Sequence, residues 1–268
     1  MLGELGAVAG GLVALGVSAR WNWWRFPKTG LPVLMYHKVG VPPPGSRLKK
    51  LWVSVEALRW QMDYLKCHGY APLTLRRVAE LLAEGRTLPA NGVVLTFDDG
   101  YRNNLENALP VLQEYGFPAT IYIVVNAVGR DNFWHDPANE IRLPMLGWEN
   151  IATLRDAGWD IGSHTLTHPR LTRLSLEDAK NEIVESRRIL AEKLGAPPVS
   201  FAHPYGDGAD NADIRRLVQD AGYRTACSVH RGKSNVAASP YCLKRIFVRG
   251  DDTCWDFHLN MTRGQSRF

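Results

Sequence analysis

A rhythm constrains this chain more than any single residue: short, continuous apolar runs alternate with amphipathic segments that close on glycine. The runs are Pro32 to Tyr36, Gly92 to Phe97, Thr120 to Val125, Trp159 to Gly162, Val199 to Ala202, Tyr223 to Ser228 and Leu243 to Val248. Their shortness and their Val, Ile and Leu content predict parallel strands buried on both faces. Between them the sequence predicts helices, one capped by Ser54 and running to His68 with Val55, Leu58, Met62 and Leu65 on one face. Others are expected near Leu75 to Glu84, Asn103 to Tyr115, Trp148 to Ala157, Leu176 to Leu194 and Ala209 to Ala221. Gly69, Gly116, Gly158, Gly195 and Gly222 stand where a left-handed C-cap residue is wanted. Such alternation predicts an α/β fold, a distorted or incomplete (β/α) barrel with about seven parallel strands. The barrel is expected to occupy residues 29–268 as one domain, behind a separate segment 1–28.

In a parallel barrel the loops at the C-terminal strand ends converge on one mouth. The polar clusters fall there: His37 after the first run, Asp98 and Asp99 after the second, His164 and His168 after the fourth, and His203 to Gly206 after the fifth. Adjacent carboxylates at a buried strand end repel each other unless a cation or a proton separates them. The alternative is a solvated Asp-Asp-Gly turn. Ser163 to Pro169 sets two imidazoles four residues apart, within reach of one metal if the segment forms a helical turn. With a strand-end Asp they complete a set of two His and one carboxylate that leaves positions open for water and substrate. Zinc is the first expectation for hydrolytic use of such a set, and Co, Ni, Mn or Fe suit the same ligands.

The segments TFDDG at 96–100, SHTLTH at 163–168 and FAHPYG at 201–206, with their spacing, resemble the polysaccharide deacetylase family and its NodB-homology domain. The resemblance covers roughly Leu31 to Val248. It implies a distorted (β/α) barrel and metal-dependent removal of N- or O-acetyl groups from carbohydrates. By the same resemblance Asp98 is the base, Asp99, His164 and His168 hold the metal, and Pro204 and Tyr205 face substrate, with the Tyr205 backbone N–H at the oxyanion. Leu34 to Val39 is similar to the MYHxV motif of the permuted branch that deacetylates poly-N-acetylglucosamine, which implies His37 as catalytic acid. Many family members carry Arg-x-Pro-Tyr in the third motif, where this chain has Ala202-His203-Pro204-Tyr205. Arg245 lies in a segment that resembles the branch's LPRI, with Lys244 in place of its Pro. It is expected to approach Asp98 and clamp the carboxylate instead. His203 is read as pocket lining or packing, not as a ligand.

Composition refines the expected partners. Net charge is +5, but the basic residues come in scattered pairs such as Arg76-Arg77 and Arg187-Arg188, which suits solvated helix faces and gives no nucleic-acid stripe. The expected partner is an N-acetylated carbohydrate. Tyr101, Trp134, Trp148 and Tyr205 are candidates for stacking on sugar faces or for rim packing, and the long Ala127 to Leu146 loop is expected to shape the cleft. Cys67, Cys227, Cys242 and Cys254 include no CxxC pair, so idle thiols are the first reading, with a Cys242–Cys254 disulfide left open. Leu5 to Ala19 carries no charge and is followed by Arg20, Trp21, Trp23, Trp24, Arg25 and Lys28. This reads first as a short membrane anchor over residues 5–24 that leaves the domain on the cytoplasmic face of a bacterial-type envelope. An export signal and an apolar helix lying on the fold are the competing readings. Two functional rivals stay open: the same machinery on another linear or cyclic amide, and an inactive glycan-binding relative.

Overall fold

The structure, a computed structural model, describes residues 26–267 and, ahead of them, only Val13 and Gly16. The expected anchor over residues 5–24 therefore lies outside the described residues, apart from those two positions. Among the described residues no helix is long and apolar enough to cross a membrane.

The strands are β1 (Val33–Tyr36), β2 (Lys38–Val39), β3 (Trp52–Val53), β4 (Ala71–Leu73), β5 (Gly92–Phe97), β6 (Thr120–Ile123), β7 (Asp160–Ser163), β8 (Ser200–Ala202), β9 (Thr225–Arg231) and β10 (Leu243–Phe247). Seven of them run β1-β10-β9-β8-β7-β6-β5, and β5 returns to β1 with Val33 beside Val94 and Tyr36 beside Phe97, which closes a parallel barrel. These are the seven apolar runs of the sequence. The distortion lies at β5. Its first half pairs with β4, Ala71 beside Gly92 and Leu73 beside Val94, while only its end pairs with β6, Thr96 beside Thr120 and Phe97 beside Ile121. The short strand β4 thus flanks the first half of β5, where β6 has not yet joined it. Its sequence, Ala71-Pro72-Leu73, carries a proline and is too short to signal a strand.

Helices cover the outside of the ring. Val55–Cys67 starts where Ser54 Oγ accepts the Ala57 N–H, and Leu176–Leu194 starts where Ser175 caps Asp178. Gly116 and Gly195 end their helices at φ of 66° and 76°, a conformation that costs a residue with a Cβ. The expected helix over Asn103 to Tyr115 is split into a π-turn at Asn104–Ala108 and an α-helix at Leu109–Tyr115. Pro110 explains the break, because it has no N–H to donate back and its ring crowds the preceding turn. The last expected helix begins at Ala212, after the Asn211 cap, instead of Ala209. A further helix, Cys254–Arg263, sets Phe257 edge-on against Trp60 and Tyr64 of the Val55–Cys67 helix. All four cysteines are free thiols, so Cys242 and Cys254 are not paired.

Candidate active site

The mouth of the barrel is built at the ends of β1, β5, β7, β8 and β10. Asp98 and Asp99 leave β5 in opposite directions because the chain turns sharply there, with Asp99 at φ 74° and Gly100 at φ 83°. Among the described residues the non-glycine residues at positive φ are Asp99, Thr165, His168 and Tyr205. All four are in this pocket. Each such conformation costs about 1–2 kcal/mol, so the fold holds strained backbone where the polar groups converge.

On one side lie Asp99, His164 and His168, whose ligand atoms fall within 4.8 Å of one another. His164 Nε2 and His168 Nε2 are 3.4 and 3.3 Å from Asp99 Oδ1. The expected helical turn joining the two histidines is absent. Residues 164–168 form an irregular loop in which Thr165 and His168 are both left-handed, and that geometry, not an i,i+4 helix face, aims the rings together. Glu182, from the Leu176–Leu194 helix, holds the loop: it accepts the N–H groups of Leu166 and Thr167 at 2.8 and 2.9 Å and the Thr167 hydroxyl at 2.6 Å. His168 N–H donates to Thr165 Oγ1.

These residues fit a divalent cation. The His164 Nδ1 lies 2.7 Å from the Ala202 carbonyl, so Nδ1 carries the proton and Nε2 presents a lone pair. Burial pushes the His168 imidazole down to about 4 against the pull of Asp99, which leaves it neutral near pH 7. Burial raises the Asp99 carboxyl, but the His164 and His168 rings beside it bring it well below the usual carboxylate range. One carboxylate oxygen and two imidazole nitrogens then converge, with sides left open.

On the other side Arg245, 1% exposed, clamps Asp98 with Nη1–Oδ1 at 2.6 Å and Nη2–Oδ2 at 2.8 Å. Its Nε donates to the Ser228 carbonyl at 2.8 Å, which orients the guanidinium plane inside the barrel. Burial pushes the Asp98 carboxyl up; Arg245, His37 and His164 outweigh it, and the group ends below its usual value. His37 Nε2 lies 3.9 Å from Asp98 Oδ2, and the ring meets Phe247 edge-on. Burial lowers the His37 pKa, and Asp98 and Asp99 only partly restore it.

Several supports carry no motif. Asn103 Oδ1 accepts the Val39 N–H at 2.9 Å and Asn107 Nδ2 donates to the Val39 carbonyl at 2.7 Å, fixing the strand that follows His37. Lys38 is buried with Nζ against the Tyr101 and Trp52 rings, 4.9 and 5.5 Å from their centroids. Of the aromatic candidates, Tyr101 is fully buried and offers no face to a sugar, and Trp148 is partly buried against the core with Lys193 Nζ 6.0 Å from its ring centroid. Trp134, from the Ala127–Leu146 loop, stacks on His168 at 4.8 Å, while Tyr205 is 41% exposed between His168 and Arg170. His203 is wholly buried against Phe201 and points to no ligand set.

A closed, distorted parallel barrel with an Asp-His-His cluster and a clamped carboxylate at its mouth is an architecture of hydrolases. The family model described as polysaccharide deacetylase matches residues 85–226, just over half of the chain, and the chain belongs to that family. The matched stretch contains Asp98, Asp99, His164, His168, Pro204 and Tyr205 and leaves out His37 and Arg245, which the fold brings to the same pocket. The poly-beta-1,6-N-acetyl-D-glucosamine N-deacetylase of Staphylococcus epidermidis is 26% identical over 246 residues, covering 85% of this chain and 82% of the relative. The crystal structure of BC0361, a polysaccharide deacetylase from Bacillus cereus, superposes with a TM-score of 0.71 at 25% identity, covering 87% of this chain and 69% of that one. IcaB from Ammonifex degensii shares the fold with a TM-score of 0.72 at 23% identity, over 87% of this chain and 96% of that one.

Proposed function

We propose that this protein removes the N-acetyl group from an N-acetylhexosamine of a cell-envelope glycan or lipid-linked saccharide, using a divalent cation, zinc first, held by Asp99, His164 and His168. The observation that carries the reading is the division of two neighbouring carboxylates: Asp99 faces two imidazoles and Asp98 faces a guanidinium and a third imidazole. Adjacent groups in such different surroundings take different roles.

When bound, the cation supplies a Lewis acid that polarises the acetyl carbonyl and makes a water molecule more acidic. Asp98 accepts the proton of the attacking water, and Arg245 fixes the direction of its lone pairs. Both Asp98 oxygens are engaged by Arg245, but each keeps a free lone pair. The Tyr205 N–H, held at φ 58°, points a backbone donor towards the developing oxyanion, with Pro204 limiting the movement of the turn. His37 delivers a proton to the departing amine. Negative Asp98 favours the protonated imidazole; once Asp98 has taken a proton that support is gone, and His37 becomes the stronger acid at the step that needs one. The envelope location rests on the uncharged Leu5 to Ala19 stretch and its Trp- and Arg-rich flank.

The test is acetate release from N-acetylglucosamine oligomers and lipid-linked N-acetylhexosamines by metal-loaded protein, Asp98→Asn and a chelated control. Acetate only with metal and intact Asp98 supports the proposal, and the preferred acceptor names the substrate. A protein that binds metal and releases acetate from none of them sinks it in favour of another amide or of glycan binding alone.

A further inference from the structure

A second set of metal-binding side chains converges at the surface beside β9 and β10, whereas the Asp99 cluster is buried. Asp210 lies in the turn after the third motif, His230 near the end of β9, and Cys242 immediately before β10. Their ligand atoms lie within 4.8 Å of one another. His230 Nε2 is 2.7 Å from Asp210 Oδ2, and the Cys242 thiol is directed at Asp210 Oδ1 from 3.9 Å. The two partners thus use different oxygens of one carboxylate.

The backbone explains why they meet. Leu243 pairs with Cys227, yet Arg245 pairs with Arg231, so two steps along β10 face four along β9. The surplus is a bulge over residues 228–230. Ser228 holds it by donating its hydroxyl to the Leu243 carbonyl and accepting the His230 N–H. Bulges re-aim side chains, and this one carries His230 towards Asp210.

We propose that Asp210, His230 and Cys242 form a second site for a borderline-soft divalent cation, zinc above all, with water completing the coordination. Thiolate, imidazole and carboxylate together select such a metal over magnesium or calcium. Binding breaks the Cys242 S–H bond, forms a sulfur–metal bond and releases the proton to solvent, while His230 and Asp210 bind through existing lone pairs. The role is architectural. The cation ties the 207–211 turn to the β9–β10 pair, behind Tyr205. That segment is already held at two points: against β9, where a Cβ at Gly206 would come within 2.3 Å of Val229 Cγ2, and against the 171–173 turn, where Asp207 accepts the Thr172 N–H and hydroxyl. A metal at its far end completes the fixation of the segment that presents the Tyr205 N–H.

Sulfur separates this site from the first one. The Asp99, His164 and His168 cluster contains no thiol, so a thiolate-to-cobalt charge-transfer band in the near ultraviolet reports the second site alone. Cobalt titration of the full chain under reducing conditions should give two equivalents bound and a thiolate band that saturates at one, and excess zinc should abolish the band. Cys242→Ser should lose the band and one equivalent; His230→Gln, an exposed change that leaves the thiol in place, should bind cobalt more weakly at this site. Asp99→Asn should keep the band, which separates failure of this site from failure of the catalytic reading. Absence of a band in the wild type, or a band that survives in Cys242→Ser, overturns the proposal.

Discussion

The two halves of the pocket are held by different physics. The Asp99 half consists of two imidazoles and one carboxylate on strained loops, tied down by the uncharged acceptors Ala202 O and Thr165 Oγ1 and by Glu182. The Asp98 half is a buried ion pair, Asp98 with Arg245, set against His37. The first half is arranged to receive a charge it lacks, and the second already contains its own counter-charge. A cation therefore belongs on one side only, and proton transfer on the other.

The largest expected effect separates the halves directly. Asp98→Asn should lower kcat by about 10² to 10⁴ while cobalt or zinc affinity, measured by titration, stays near that of the wild type. Loss of metal together with activity would mean that the carboxylates share one task, and the contrast would fail. Removing the clamp comes next. Arg245→Met strands a buried carboxylate and should destabilise the fold by about 3–5 kcal/mol in urea unfolding. The double variant Arg245→Met with Asp98→Asn should recover much of that loss, since no uncompensated charge remains. Equal stability of the single and double variants would show that Arg245 acts through packing alone. On the metal side Glu182→Ala should weaken metal binding about 10- to 100-fold in the same titration, the usual cost of removing an outer support of metal ligands.

The halves also differ in how far the sequence discloses them. Asp98, Asp99, His164 and His168 sit in short motifs at strand ends, and hydrophobic continuity placed those ends on one mouth. The HxxxH spacing was ambiguous, because four residues bring two rings together on a helix and also in a loop with left-handed residues at 165 and 168. Arg245 is expected at Asp98 only through the resemblance of its segment to LPRI; nothing else local to it indicates the partner, because the contact spans 147 residues and requires the ring to close. Asn103, Asn107 and Glu182 read as ordinary polar residues of helical segments, since a side chain that caps a distant backbone group leaves no periodic trace. The helix Cys254–Arg263, which is not among the expected helices, carries a local signal instead, the Thr253-x-x-Asp256 capping box, whose two reciprocal bonds are both formed.

The smallest predicted effect probes the seam between the halves. Glu140, in the loop after β6, accepts the Ser46 hydroxyl and the Arg47 and Leu48 N–H groups, all from the segment that follows β2. It therefore ties the Trp134 side of the mouth to the chain that carries His37. Burial raises its carboxyl, but these donors and Lys38 bring it below the usual value. A depressed folded pKa contributes stability that is fully present above the unfolded value, about 4.3, and is lost as pH falls through the folded value. Glu140→Gln keeps one acceptor oxygen and should cost about 1 kcal/mol at neutral pH, a deficit that shrinks as both proteins are unfolded at progressively lower pH. Metal affinity should not change, because the Glu140 carboxylate bonds to no residue of either ligand set. A deficit that grows towards acid would mean that Glu140 is stabilised protonated, and a loss of metal binding would extend the Asp99 half across the loop that separates it from His37.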